Sequence, residues 1–181
     1  LELRRGRITG TTLKQVMGKD SSKLMYEMIA EPYEKSTSYQ SDAMALGNLH
    51  EPWAVEAYEK ATGSRVESVG FITKGDLLGL SPDGLVGKTK AIEVKSPGLA
   101  KHIEYIVRNK LPSEYKWQVV MYFIIIDGLQ ELDFVSYHPK YHKEIHIINI
   151  TRESLTEDIM NAQEKLAKFE EKYNQTVMKL L

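Results

Sequence analysis

Two carboxylates and a lysine stand close together near the middle of the chain. Asp83 lies in a Ser-Pro-Asp-Gly turn, and Glu93 and Lys95 follow on a segment that the pattern predicts to be the neighbouring strand. Because side chains alternate along a strand, Glu93 and Lys95 point to the same face. Mg²⁺ prefers hard oxygen ligands, and a bound ion polarises a phosphate and generates hydroxide near neutral pH. The spacing predicts metal-dependent cleavage of a phosphodiester, with Lys95 orienting the attacking water or holding the phosphate.

The alternative is a strand pair with charges that face solvent. Asp-Gly turns and Glu-x-Lys strands are each common by chance. Their combination, bracketed by Pro82 and Ser96-Pro97, favours a functional site. Val94 is expected to point its side chain into the core, which leaves its backbone carbonyl as a possible metal ligand.

Glu51 and Gln118 are the further candidates for this site. On a predicted helix, Glu51 is by default a solvated surface residue. Gly47, one turn earlier, permits close approach of a ligand, and Pro52 predicts a kink beside Glu51 because proline cannot donate to the preceding turn. Gln118 is either an exposed amide or a hydrogen-bonding partner of a metal-bound water or a phosphate.

The elements that position these residues follow from hydrophobic periodicity and turn residues. We predict helices over about 11–18 and 41–61, with a short one between them. We predict strands over 65–73, 77–86 and 90–96, then a helix capped by Ser113, strands over 130–138 and 143–150, and a terminal helix from about residue 154. This order predicts an α/β domain with a mixed sheet between helices, and one domain over residues 1–181.

Composition excludes several classes of site. The 181 residues contain no cysteine, which excludes disulfides, zinc–thiolate sites and iron–sulfur clusters and suits a cytosolic protein. No apolar run approaches the roughly 20 residues that span a bilayer, and we expect no signal peptide. The net charge of −1 means that any contact with DNA depends on local clusters of Lys and Arg.

Four motifs occur in order: ALGNLHE at 45–51, SPDGL at 81–85, IEVKSP at 92–97 and YKWQVVMY at 115–122. Together they resemble the phage lambda exonuclease family, also called YqaJ-type viral recombinases, of the PD-(D/E)xK nuclease superfamily. No single motif is specific, but the combination is, and the similarity spans nearly the whole chain. The resemblance implies a restriction-endonuclease-like α/β core, in which a central mixed β-sheet is flanked by helices.

The resemblance also implies an activity. Members are 5′→3′ exonucleases that degrade one strand of linear double-stranded DNA to mononucleotides and leave a 3′ single-stranded overhang for recombination. It implies two Mg²⁺ ions, with Mn²⁺ as a substitute, bound by Glu51, Asp83, Glu93 and the Val94 carbonyl. Lys95 and Gln118 match the family's lysine and glutamine. An acidic residue that precedes SPDGL in the lambda enzyme has no clean equivalent, and Asp76 is only a loose match.

The family's partners and setting carry over as expectations. Its members form homotrimeric rings around DNA ends and pass the overhang to a single-strand annealing protein. The setting is the cytoplasm of a bacterium that carries a phage or prophage, with no membrane association.

A basic N-terminal segment matches the part of the family that recognises a 5′-phosphate. Arg4 and Thr11 fit those positions best, with Arg5 as a neighbour, because a guanidinium binds a terminal phosphate bidentately. Lys101 opens a second basic stretch that could contact phosphates. The alternatives are a solvated N-terminal arm and an ordinary exposed face.

Two rival functions remain open. The first is another nuclease with the same core, either an endonuclease or a Cas4-like enzyme, although the missing cysteines argue against Cas4. The second is a non-catalytic module that binds DNA ends, although all three carboxylates are present. Cleavage of covalently closed circular DNA would identify an endonuclease, whereas binding without magnesium-dependent nucleotide release would identify the module.

Overall fold

A four-stranded mixed β-sheet lies between helices in the computed structural model, which describes residues 2–34 and 42–181. The helices are α1 (Leu13–Val16), α2 (Ser22–Ala30), α3 (Asp42–Thr62), α4 (Leu99–Arg108), α5 (Lys116–Ile125) and α6 (Thr156–Met178). The strands are β1 (Ile72–Lys74), β2 (Leu78–Leu80), β3 (Gly84–Val86), β4 (Lys90–Lys95), β5 (Glu131–Tyr137) and β6 (Ile145–Thr151). The architecture confirms the predicted α/β class with a central mixed sheet.

The register of the sheet brings the predicted site together. The strand order is β3-β4-β5-β6, with β4 and β5 parallel and the other neighbours antiparallel. Gly84 pairs with Ile92, so Asp83, immediately before β3, lies across from Glu93. Lys95 is the last residue of β4 and follows Glu93 on the same face of the sheet.

The two faces of the sheet bury different helices. One face packs on α5 and α6, with Phe134 of β5 and Ile148 of β6 in the larger apolar cluster. The other face packs on α3, where Ala54 and Tyr58 meet Val94 in a second cluster. Val94 is 8% exposed, so its side chain points into the core as predicted. Because β5 is covered on both faces, it is buried almost throughout rather than on alternate residues, and its buried residues include the polar Asp133 and Ser136.

A small hairpin, β1–β2, carries the N-terminal segment. Ile8 pairs in parallel beside β2, its N–H donating to the carbonyl of Leu77 at 2.7 Å while the N–H of Gly79 donates back to Ile8 at 3.0 Å. This pairing fixes the N-terminal segment as an added edge of the hairpin, and so fixes where Arg4 and Thr11 lie.

The strands predicted before β4 were too long. The stretch predicted as 65–73 is a strand only from Ile72, apart from one bridge between Glu67 and Leu85. The stretch 77–86 is two strands, interrupted at residues 81–83. Pro82 has no N–H to donate, and Asp83 bonds to β4 through its side chain instead of continuing the ladder.

One helical prediction needs correction, and one helix was not predicted. Ser113 does not cap a helix; it begins a 3₁₀ turn, and α5 starts at Lys116. Helix α4 was not predicted as an element, and it buries His102 and Tyr105 against the sheet. Helix α3 confirms the long predicted helix and continues through Pro52, whereas residue 41 lies outside the described part of the chain. No helix in that described part is both long and apolar enough to cross a membrane.

Candidate active site

Glu93 is the centre of the site and is only 1% exposed. Its Oε1 accepts hydrogen bonds from Gln118 Nε2 at 2.6 Å and Lys95 Nζ at 2.5 Å, and its Oε2 accepts one from the hydroxyl of Tyr122 at 2.5 Å. A carboxylate buried this deeply needs such donors in place of water. The three donors fix the orientation of the carboxylate and place Lys95 and Gln118 beside it.

Asp83 is held against β4 by its own side chain. Its Oδ2 accepts the N–H of Val94 at 2.7 Å, and its backbone N–H donates to the hydroxyl of Tyr122 at 3.3 Å. Burial and the nearby charge of Glu93 raise the pKa of Asp83 to about 8, although the Val94 N–H opposes this. Without a bound metal ion, Asp83 is therefore mostly protonated at neutral pH, although Lys95 also opposes the rise.

Glu51 approaches the same site from α3. Burial and then the charge of Glu93 raise its pKa, while Lys95 opposes the rise. Glu51 also adds to the raised pKa of Asp83, so the three carboxylates lie within electrostatic reach of one another. Within residues 2–34 and 42–181, no three acidic or imidazole side chains are gathered closely enough to enclose an ion as they stand.

The chemistry of this donor set nevertheless fits a divalent cation. Besides burial, the charge of Glu93 raises the pKa of Glu51 and of Asp83, and a divalent cation would relieve this repulsion. All the available side-chain donors are hard oxygens, the kind that Mg²⁺ prefers. Glu51, Asp83 and Glu93 are therefore the residues that would hold it, and the Val94 carbonyl stays a prediction.

Lys95 remains a cation although it is mostly buried. Burial, the largest single influence, opposes its charge, but the charge and hydrogen bond of Glu93, with smaller contributions from its other neighbours, raise the pKa of Lys95 on balance. Its Nζ also lies over the ring of Tyr115, 5.1 Å from the centroid. The ammonium is thus held between a carboxylate and an aromatic face, which limits where it can donate.

Tyr122 and Tyr115 are site residues to which the sequence analysis gave no role. Tyr122 is fully buried and joins the Asp83 turn to Glu93 through its hydroxyl. The signal was present, because Gln118 and Tyr122 are four residues apart and so share one face of α5. Tyr115 could not be found in this way, because its contact with Lys95 depends on the path of the 3₁₀ turn before α5.

Gly10 brings the N-terminal segment against the site. A Cβ placed on Gly10 would lie 3.0 Å from Cγ of Gln118 and 3.4 Å from a methyl of Leu80. The chain passes Gln118 at this short distance, and Thr9 and Thr11 flank the contact. The hydroxyls of Thr9 and Thr11 lie 3.1 Å apart.

Replacing Gly10 by alanine should slow hydrolysis at this site by about tenfold, because the new methyl pushes on Cγ of Gln118, which donates to Glu93, and supporting contacts of this kind are worth about 10- to 100-fold. Single-turnover digestion of duplex DNA, the substrate that the sequence resemblance implies, measures the effect. Gly98→Ala is the matched control, since a Cβ there meets nothing within 4 Å. Equal rates for Gly10→Ala and the wild type would show that the reaction does not depend on the absence of a side chain at residue 10.

The three arginines of the N-terminal segment differ in their hydrogen-bond partners. Arg5 donates to the backbone carbonyls of Glu31 and Glu34, the latter at 2.7 Å. Arg7 donates to the carbonyl of Gly75 at 2.9 Å. Within the described residues, the guanidinium of Arg4 makes no hydrogen bond or ion pair. It borders an open cavity of about 620 Å³ that is also lined by Arg7, Thr9 and Thr12.

Lys101 forms an ion pair with Glu114. Its Nζ lies 2.5 Å from Oε1 of Glu114, which also accepts the hydroxyl of Tyr105 at 3.0 Å. The pair is about half exposed, so DNA phosphates would compete with Glu114 for this ammonium. The structure does not place Lys101 in contact with the carboxylate cluster.

Known proteins resemble this chain in both sequence and structure. The family model of the YqaJ-like viral recombinase domain matches residues 1–128. The structure is similar to that of an alkaline exonuclease (LHK-Exo) from Laribacter hongkongensis, with a TM-score of 0.80 and 32% identity over 99% of this chain and 95% of that one. The same exonuclease in complex with dAMP gives a TM-score of 0.79 and 32% identity, covering 98% and 96% of the two chains.

A phage-related exonuclease from Haemophilus somnus 129PT shares the fold alone. Its TM-score is 0.75 at 11% identity, with 97% of this chain and 96% of that chain covered. A search of curated proteins found no significant match.

Proposed function

The chain belongs to the YqaJ-like viral recombinase family, and we therefore propose that it is a magnesium-dependent 5′→3′ exonuclease that acts on linear double-stranded DNA. Its product is a deoxynucleoside monophosphate, and the strand left behind is a 3′ single-stranded overhang for phage-type recombination. The observation that carries the proposal is the convergence of Asp83, Lys95 and Gln118 on the buried carboxylate of Glu93. The related exonuclease crystallised with dAMP supports the class of product.

The residues of the site divide the work. Divalent cations held by Glu51, Asp83 and Glu93, with Mn²⁺ as a substitute for Mg²⁺, would polarise the scissile phosphate and lower the pKa of the attacking water. Lys95 donates to that water or to a phosphate oxygen, because its charge is retained and its position is fixed by Glu93. Gln118 keeps Glu93 oriented and has a second amide hydrogen for the substrate.

Recognition of the DNA end is assigned to the N-terminal segment. Arg4 is the arginine of that segment whose guanidinium has no hydrogen bond among the described residues, so it is available for a 5′-phosphate. The hydroxyl of Thr11 lies in the same segment, next to the Gly10 contact with Gln118. Arg5 is assigned a structural role, because it holds the chain after α2, and Lys101 is assigned a peripheral contact with phosphates.

The assembly and the setting are part of the same proposal. We infer a homotrimeric ring that encloses the duplex, a single-strand annealing protein as the recipient of the overhang, and the cytoplasm of a bacterial host. Family membership supports all three.

Digestion of matched DNA substrates tests the function. We expect magnesium-dependent release of mononucleotides from linear duplex, loss of a 5′ label before a 3′ label, and no cleavage of covalently closed circles. Addition of a chelator should abolish release. Cutting of circles would replace the proposal with an endonuclease, and binding of ends without release in either Mg²⁺ or Mn²⁺ would replace it with a non-catalytic end-binding module.

A further inference from the structure

Phe71 lies beneath the guanidinium of Arg4. Cζ of Arg4 is 5.7 Å from the centroid of the Phe71 ring, within the range of a cation–π contact. Phe71 directly precedes β1, and Arg4 closes a 3₁₀ turn at the start of the N-terminal segment. Two residues far apart in sequence therefore meet beside the hairpin, although neither belongs to the carboxylate cluster.

The Phe71 ring is seated by Gly79. A Cβ built on Gly79 would lie 2.1 Å from Cζ of Phe71 and 2.5 Å from one of its Cε atoms, distances that real atoms do not adopt. The ring thus lies directly on the backbone of β2 at the one side-chain-free position of that strand. Any side chain at residue 79 would push the ring away and, with it, the support under Arg4.

The contact with Phe71 leaves the hydrogen-bond donors of this guanidinium free to bind. Arg5 and Arg7 give their N–H groups to backbone carbonyls, whereas the Arg4 guanidinium makes a cation–π contact and no hydrogen bond among the described residues. A guanidinium carries five N–H donors, and a cation–π contact pairs none of them with a hydrogen-bond acceptor. The contact also restricts the long side chain before a ligand arrives, which lowers the entropy lost on binding.

We propose that Phe71, seated on Gly79, is a positioning residue that holds Arg4 for the 5′-phosphate of the DNA end and so sets the preference for phosphorylated ends. The inference rests on the proposed function, because it takes Arg4 as the group that binds the phosphate. Phe71 touches no reacting atom and acts only through the arginine above it.

Binding of duplexes with 5′-phosphate and 5′-hydroxyl ends in chelator tests the inference without requiring cleavage. Fluorescence anisotropy gives the ratio of the two dissociation constants. We expect wild-type protein to favour the phosphorylated end, and Arg4→Ala to abolish the preference. Phe71→Leu, which keeps apolar bulk but removes the ring face, should reduce the ratio by about two- to fivefold, the range of an exposed cation–π contact. Gly79→Ala should reduce it similarly.

Two controls separate positioning from general damage. Phe123 also lies beneath an arginine, with Cζ of Arg152 5.4 Å from its centroid, in the core that packs against α6. Phe123→Leu should lower the melting temperature and leave the phosphate ratio unchanged. In the Arg4→Ala background, Phe71→Leu should have no further effect on the ratio, because the ring then has no guanidinium to support.

The outcomes distinguish the inference from the function on which it rests. An unchanged ratio in Phe71→Leu, with the preference still lost in Arg4→Ala, would overturn the role of Phe71 and leave Arg4 in place. A Phe71 effect that persists without Arg4 would also overturn it. Equal binding of both ends by the wild type would remove the phosphate site and the inference together, whereas nucleotide release is judged separately in magnesium.

Discussion

Asp83→Asn should reduce nucleotide release by at least about a thousandfold and, in chelator above pH 7, should raise the melting temperature of the protein. The two effects have one cause. Asp83 is a buried carboxylate beside Glu93, and its charge is useful only when a cation offsets it. Asparagine removes the charge and keeps an oxygen that can accept the N–H of Val94.

The pH dependence of this effect follows from the raised pKa. The pKa of Asp83 is about 8 in the folded protein, against 3.8 for an ordinary aspartate, so between these values the folded state holds a proton that the unfolded chain has released. Stability therefore falls as pH rises through this window, by at most about 1.4 kcal/mol per pH unit, and the loss is complete above pH 8. The asparagine of the variant has no proton to lose, so the advantage of Asp83→Asn over the wild type grows from about pH 5 to about pH 8.

Thermal melts at several pH values, with and without magnesium, measure this difference. Magnesium should stabilise the wild type and narrow the gap to Asp83→Asn, because the bound cation offsets the carboxylates. Asp127→Asn is the matched control: Asp127 is exposed, its pKa is lowered by its hydrogen bond with Lys74, and its replacement should leave activity unchanged. A melting temperature for Asp83→Asn that is lower than that of the wild type at about pH 8 in chelator would contradict the interpretation that the buried charge of Asp83 destabilises the folded protein.

The central pair of the site was predictable from the sequence because strand geometry is short-range. Alternation alone places Glu93 and Lys95 on one face, and a Pro-Asp-Gly turn must end a strand, so the proximity of Asp83 followed once β3 and β4 were neighbours. The structure confirms both points through the 2.5 Å contact of Lys95 with Glu93 and the 2.7 Å bond of Asp83 to β4.

What sequence reasoning missed depends on long-range packing. Helix α4 carries charged residues around a narrow buried stripe, and its burial is decided by β5, which comes much later in the chain. The different contacts of Arg4, Arg5 and Arg7 could not be predicted from the sequence either, because the backbone acceptors of Arg5 and Arg7 lie in distant turns. The phosphate pocket itself stays a prediction, but its choice of arginine now has a structural reason.

The lysine of the site shows how burial and charge work against each other. Desolvation alone would lower the pKa of Lys95, and a neutral amine could neither balance Glu93 nor attract a phosphate. Glu93 prevents this, and Tyr115 covers another side of the ammonium. Without a bound metal ion, the raised pKa of Lys95 keeps it protonated at neutral pH, which makes it a donor rather than a base.

Lys95→Ala should reduce nucleotide release by about a hundred- to a thousandfold while the affinity for duplex ends changes little, because the lost donor acts on the charge that develops during hydrolysis. Single-turnover digestion gives the rate, and anisotropy in chelator gives the affinity. Lys60→Ala is the control, since Lys60 forms a comparable but exposed pair with Glu56 on α3, and it should leave both quantities unchanged. Alanine removes both the charge and the bulk of the lysine side chain. Lys95→Met removes the charge but keeps the volume, so comparison of the two variants separates packing from charge. Wild-type release by both Lys95 variants would remove the lysine from the mechanism, whereas loss of end binding together with release would make it a substrate contact instead.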